Sequence, residues 1–206
     1  MEPKWLEWAK ELKALSQDGL NYVENVFDKE RYSRVSDIAA EMMAHNSDAD
    51  LDYIKKLFNG QEGHATPKVD VRGVVFKENK ILLVKEKLDG GWTVPGGWAD
   101  PNETPSESVE REVFEESGFI VKAKKILAVY DRKKHGHVPP HPFHVYKIFF
   151  LCELTGGEKT LSIETDGVEF FKEDKIPELS KARTTPKQIA RMYELFKNHE
   201  SATDFD

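Results

Sequence analysis

With one cysteine, Cys152, in 206 residues, the chain cannot close an intrachain disulfide, and a reducing compartment is the default expectation. No apolar run is long enough to span a bilayer, and the opening MEPKWLEWAKEL lacks the apolar stretch of a signal peptide. The sequence therefore predicts a cytoplasmic chain that makes no membrane contact. Cationic excess is missing as well. A formal charge of -7 implies no broad positive surface, which argues against general nucleic-acid binding. An anionic small molecule stays possible, provided cations offset the charge locally. There is no internal repeat and no low-complexity tract. Charged residues at 33% and apolar residues at 39% fit a globular chain rather than a disordered one.

What is present divides near the Gly/Pro-containing stretch QEGHATPK, residues 61–68. Before it the pattern is helical. Trp5, Leu6, Trp8, Ala9, Leu12, Leu15 and Leu20 recur at helix-like spacing, with Gly19 as a potential break. Asp28 is the expected cap of a second helix with Tyr32, Val35, Ile38, Ala39 and Met42 on its apolar stripe, and Asp48 that of a third. After Lys68 the period changes to that of strands: 69–76 and 80–84 around the turn KENK, 92–94, 119–130, 144–154 and 167–171. A helix closes the pattern over residues 182–199, with Pro186 near its first turn. The prediction is an α+β domain at 67–200 preceded by a small all-α domain at 1–62.

The most telling stretch is REVFEESGF, residues 111–119. Thr104-Pro105-Ser106-Glu107 has the form of a capping box, and Gly118 suits a left-handed C-cap, so a helix is predicted over 105–117. On it Glu112, Glu115 and Glu116 share an arc of about 100°, while Val109 and Val113 face inward beside them. Carboxylates so close repel one another unless a cation lies between them, and only Arg111 is near in sequence. Taken alone the helix is equally a solvated acidic face or a holder of hard divalent ions.

The wider pattern decides between these. Gly97, five residues, Glu103, seven residues and then 111–119 resembles the Nudix box at each defining position, with Val113 and Phe119 in its apolar slots. The resemblance covers the second domain. It implies the Nudix fold, a mixed sheet held between helices, and cleavage of a phosphoanhydride in a nucleoside diphosphate linked to a group X. It implies that Mg²⁺ or Mn²⁺ is held by Glu112, Glu115, Glu116 and the Gly96 carbonyl, with Glu112 one candidate for the base. Gly97 permits the tight turn, Arg111 braces the glutamates, Glu103 supports the loop and Gly118 ends the helix. Glu164, in SIETDGVEFF, stands where family members carry a loop carboxylate, as ligand or base, with Asp166 as its substitute.

Other residues are read from their surroundings. Arg72 interrupts the apolar run VRGVV and is the expected phosphate ligand, with Lys85 on the next strand a second candidate. Trp92 and Trp98 flank the PGG turn, and Trp98 is the candidate for base stacking. HGHVPPHPFH, residues 135–144, lacks the cysteine or His/Glu spacing of a zinc site. It reads instead as a loop near the active site, with Lys133 before it and His141 or His144 within it as substrate contacts.

The helical segment ahead of KVDVRGVVF and GGWTVPGGWAD resembles the Nudix subgroup that hydrolyses X-linked nucleoside diphosphates, CDP-choline pyrophosphatases among them. That resemblance implies a homodimer acting on a small-molecule nucleotide, CDP-alcohols first. ADP-ribose is the alternative. It is weakened because Asp131 to Lys134 lacks the proline that marks ADP-ribose members, and Tyr130 falls slightly early for the tyrosine that marks dinucleotide polyphosphate members. A non-catalytic ligand-sensing module is a further alternative, although such proteins usually lose a box glutamate.

Overall fold

The computed structural model describes residues 2–198 and 200–206. The chain forms two compact units: one runs up to Pro67 and includes His141–His144, and the other comprises Lys68–Pro140 and Val145–Asp206.

In the first unit, helices α1 (Lys4–Tyr22), α2 (Val26–His45) and α3 (Leu51–Asn59) enclose Leu6, Ala9, Ala39, Ala40, Met43, Ile54 and Phe58. Gly19 does not break α1. Its missing side chain admits the Tyr32 ring of α2, against which a Cβ would collide. The caps also differ from expectation. Asn25 accepts the Phe27 N–H at 2.8 Å and starts α2 earlier than Asp28 would. Asp28 instead lies in the first turn, where a negative charge suits the helix dipole. Asp50, not Asp48, accepts the N–H groups of Asp52 and Tyr53 to start α3. The buried side of α2 is rotated from the expected stripe: Ala39, Ala40 and Met43 are inside, whereas Ile38 is 38% exposed.

The second unit contains β1 (Lys68–Lys77), β2 (Lys80–Glu86), β3 (Trp92–Thr93), α4 (Pro105–Ser117), β4 (Phe119–Asp131), β5 (Val145–Gly157), β6 (Thr165–Phe171), α5 (Pro186–Lys197) and β7 (Asp204–Phe205). The strands form a mixed sheet in the order β3-β2-β1-β5-β4-β7, with β6 also pairing β2. KENK is a two-residue turn with Glu78 and Asn79 both left-handed (φ 51° and 57°), a conformation whose twist suits a tight hairpin. On one face Val71, Val75, Phe150 and Cys152 pack with Val109 and Val113 of α4. On the other, Val74, Leu83 and Phe149 pack with Ile189, Met192, Tyr193 and Leu195 of α5. This α+β arrangement, a mixed sheet between helices, is the one the box implied.

The C-terminal helix is shorter than expected because Thr185 caps it reciprocally with Gln188. His199, its expected last residue, lies outside the described residues. Strand β7 and the 3-10 turn Arg132–His135 carried too few apolar residues to announce themselves.

Candidate active site

The site is built on α4, and local chemistry fixes that helix at both ends. Thr104 Oγ1 accepts the Glu107 N–H, Glu107 Oε2 accepts the Thr104 N–H at 2.8 Å, and Gly118 (φ 76°) donates its N–H to Phe114 O at 2.8 Å. Burial of Val109 and Val113 sets its rotation. Val113 presses so closely on Gly73 of β1 that a Cβ there would collide with it. The acidic side is thereby directed at the Pro95-Gly96-Gly97 turn, which runs along β1 through Gly73 N–H to Pro95 O and Val71 N–H to Gly97 O, each 2.8 Å.

Two glycines bring backbone and carboxylates together. Gly96 has φ 140°, and a Cβ there would strike the Val71 carbonyl, so only glycine fits. Its N–H donates to Glu116 Oε2 at 2.9 Å. A Cβ on Gly97 would lie 2.6 Å from Glu112 Oε2, a place the structure leaves to the carboxylate.

Glu116 is buried, and burial pushes its carboxyl up to about 7. Arg72 and the Gly96 N–H work against that rise, while Glu86 and Glu112 add to it. Burial also raises Glu112, and Arg111 partly offsets the effect. Arg111 holds the outer carboxylates: Nη1 lies 2.8 Å from Glu112 Oε1 and 3.0 Å from Glu115 Oε2, and Nε lies 2.8 Å from Glu103 Oε1.

Arg72 differs from the phosphate ligand expected of it. It is 3% exposed, its Nε and Nη2 each lie 2.7 Å from an Asp70 oxygen, and Nη1 donates to Val94 O at 3.1 Å. With its fork turned inward, it reaches the site through its charge, which favours the ionised form of Glu116. Asp70 is completed by Lys147, directly opposite on β5, whose Nζ lies 2.8 Å away. This buried network was missed, although Asp70 and Arg72 two apart on one strand face, and a lysine inside HVYKIFF, were its signal. Glu86, buried at the end of β2, was also missed. It pairs in register with Thr165, whose hydroxyl donates to the Glu116 carbonyl at 3.0 Å.

The remaining candidates are more scattered. Glu164 is exposed beside Thr165, its carbonyl accepting the Lys87 N–H at 3.0 Å, and its charge raises Glu86. Lys85 is half-buried on β2 and pairs in register with Trp92. Trp98 is 45% exposed and bridges to Asp70 along the backbone. Lys133 is exposed in the 3-10 turn, its N–H on Asp131 Oδ1 at 2.9 Å. His144 is exposed within the segment that groups with the helices. His137 is a core histidine between Lys181 O and Gln188, each 3.2 Å away.

Among the described residues, no three or more His, Cys, Asp or Glu side chains are set closely enough to grip an ion unaided. The donor chemistry nevertheless fits a hard divalent cation. The site offers carboxylate oxygens, one of them on Glu116, whose carboxyl is raised by burial and further by Glu86 and Glu112, and the bare Gly97 leaves room for the Glu112 carboxylate beside the turn. The outer pair, Glu112 and Glu115, already shares a cationic group in Arg111.

Comparison with known proteins agrees with this chemistry. Residues 3–58 match the family described as "UDP-X-like, N-terminal oligomerisation domain", and residues 66–196 match the "NUDIX domain". The chain is 44% identical over 206 residues to YjhB of Bacillus subtilis (strain 168), provisionally named an ADP-ribose pyrophosphatase, covering 100% of this chain and 99% of that one. A crystal structure of an ADP-ribose pyrophosphatase from Streptococcus suis 89-1591 is 40% identical, with a TM-score of 0.63 over 68% of this chain and 100% of that one. A crystal structure of UDP-X diphosphatase is 28% identical and covers 98% of both chains, with a TM-score of 0.65.

Proposed function

The chain belongs to the Nudix family and is a Nudix pyrophosphohydrolase, and from that premise we propose that it hydrolyses nucleoside diphosphates linked to a group X. The observation that carries the proposal is the glutamate cluster of α4, brought to the PGG turn by the Gly96 N–H on Glu116 at 2.9 Å. Water adds to one phosphorus, the bridging P–O bond breaks, and the products are a nucleoside monophosphate and phosphorylated X. Two substrate readings are carried: CDP-alcohols, from the subgroup that the helical segment resembles, and ADP-ribose, from the names of similar proteins.

Glu112, Glu115, Glu116 and the Gly96 carbonyl would hold Mg²⁺ or Mn²⁺; the carbonyls of Pro95 and Gly97 on either side are engaged by β1. Bound there, the ion would neutralise phosphate charge and acidify a water ligand. Gly96 orients Glu116, Arg111 keeps Glu112 and Glu115 together, and Glu112 or Glu164 receives the proton of the attacking water.

A panel of CDP-choline, ADP-ribose, dinucleotide polyphosphates and dNTPs, compared by kcat/KM, tests this reading. We expect one of the first two to lead by at least about tenfold, a difference of about 1.4 kcal/mol in transition-state binding. Activity should vanish in EDTA and return with Mg²⁺ or Mn²⁺. A lead for a nucleoside triphosphate would defeat the proposal.

We also propose a homodimer through the helical unit, supported by its match to an oligomerisation domain. Trp8, Leu15 and Tyr22 repeat every seven residues along α1 and are 51%, 58% and 70% exposed, an apolar stripe more than half open to solvent. Leu15→Glu should convert the dimer to a monomer by light scattering while preserving the helical circular dichroism signal. An unchanged mass would place the interface elsewhere.

A further inference from the structure

Arg183 lies on the turn that leads into α5, and that turn is unusually well anchored. Its own N–H donates to Ser180 O at 2.9 Å. Ser180 donates its N–H to Trp92 O at 2.9 Å and its hydroxyl to Asp89 Oδ2 at 2.7 Å. Thr184, fully buried, meets the Thr93 hydroxyl at 2.8 Å. The backbone under Arg183 is thus tied to β3, the strand that runs directly into the PGG turn.

The side chain is tied as well, at one end only. Arg183 Nε lies 2.6 Å from Glu86 Oε1, and the Glu86 side chain is 3% exposed while that of Arg183 is 30% exposed. The contact is an ion pair without the alignment of a hydrogen bond, since Glu86 Oε1 is buried with no hydrogen-bond partner. Glu86 in turn is joined to the acidic site through Thr165, its register partner, whose hydroxyl meets Glu116 O at 3.0 Å.

Surface solvation does not explain this arrangement. The nearby arginines are committed elsewhere: Arg72 to Asp70 and Val94, and Arg111 to the outer glutamates and Glu103. A substrate diphosphate needs a cation with free N–H groups, and guanidinium Nη groups match paired phosphate oxygens. Holding Nε from behind on a buried carboxylate fixes the fork beforehand and reduces the ordering cost of binding.

We propose that Arg183, held from behind by Glu86, is a substrate-binding residue that presents its Nη groups to the diphosphate of the bound nucleotide. This rests on the hydrolase reading above and identifies the cation that Arg72 fails to supply. The binding probe is the non-hydrolysable α,β-methylene analogue of ADP-ribose, titrated with Mg²⁺ into the full chain, with adenosine as control. Arg183→Met should weaken the analogue at least about tenfold, Arg183→Lys should fall between, and adenosine affinity should not change. In turnover, the same variants should raise KM by more than they lower kcat. Thermal melts of both variants, close to that of the parent protein, establish that the fold is intact. Equal analogue affinity in all three proteins overturns the proposal, as does a parent protein that does not bind the analogue. A parent that binds the analogue through Arg183 but hydrolyses none of the panel would defeat the hydrolase reading and leave the ligand assignment standing.

Discussion

Glu116→Gln is expected to lower kcat by at least about a thousandfold, the scale on which a preorganised charge at a phosphoryl centre acts. The amide can still accept the Gly96 N–H, so the turn stays in place, but the negative oxygen is gone. The same variant should be more stable than the parent in metal-free buffer at pH 8. Burial raises the Glu116 carboxyl to about 7, so in the folded protein it ionises only at a higher pH than in the unfolded chain. With the folded value raised, folding holds the extra proton between about 4.5 and 7, and stability falls as pH climbs through that window. Above it the cost is fully present, and glutamine removes it. Steady-state kinetics and melts in EDTA check both halves. A variant within tenfold of parental kcat would remove Glu116 from the machinery.

Asp70→Ala should destabilise the sheet unit by about 3–5 kcal/mol, since it leaves two buried cations without their carboxylate. Burial alone would raise the Asp70 carboxyl, but Arg72 and Lys147 overcome it and hold the group well below the usual carboxylate range. Because the folded value is depressed, Asp70 stabilises the fold above about pH 4 and loses that contribution only as pH falls further. Burial lowers the Lys147 ammonium to about 7, so the deficit of the variant should be largest near pH 5, shrink towards pH 8 as that lysine loses its proton, and narrow again in stronger acid. Urea denaturation at several pH values measures it. A deficit below about 1 kcal/mol at pH 7 would show that Arg72 and Lys147 find other partners.

These two residues also show what the sequence could convey. Helix α4 was legible to the residue because its limits are set by neighbours in the chain: Thr104 with Glu107, Pro105, and Gly118. Strands β1 to β6 were legible as β-rich runs between turn residues, whereas β7 was not. The caps of α2 and α3 were not, because Asn25 and Asp28, or Asp48 and Asp50, compete and only packing selects one. Arg72 was correctly marked as a charge in an apolar strand, but its pairing with Asp70, two residues away, was overlooked, and the Lys147 that completes the network lies far along the chain. Glu86 and Arg183 gave no local sign at all, since their meaning comes from a contact between β2 and the turn before α5.

The Asp70–Lys147 contact joins residues separated by 77 positions, and it can form only when β1 lies parallel to β5. Closing so long a loop is entropically costly and slow compared with winding a capped helix. The acidic helix is thus free to form early, while the strand surface beneath it must await pairings between distant strands. We expect catalytic competence to arrive at the end of folding rather than by degrees, so that a partly folded chain carries the glutamates without the means to use them.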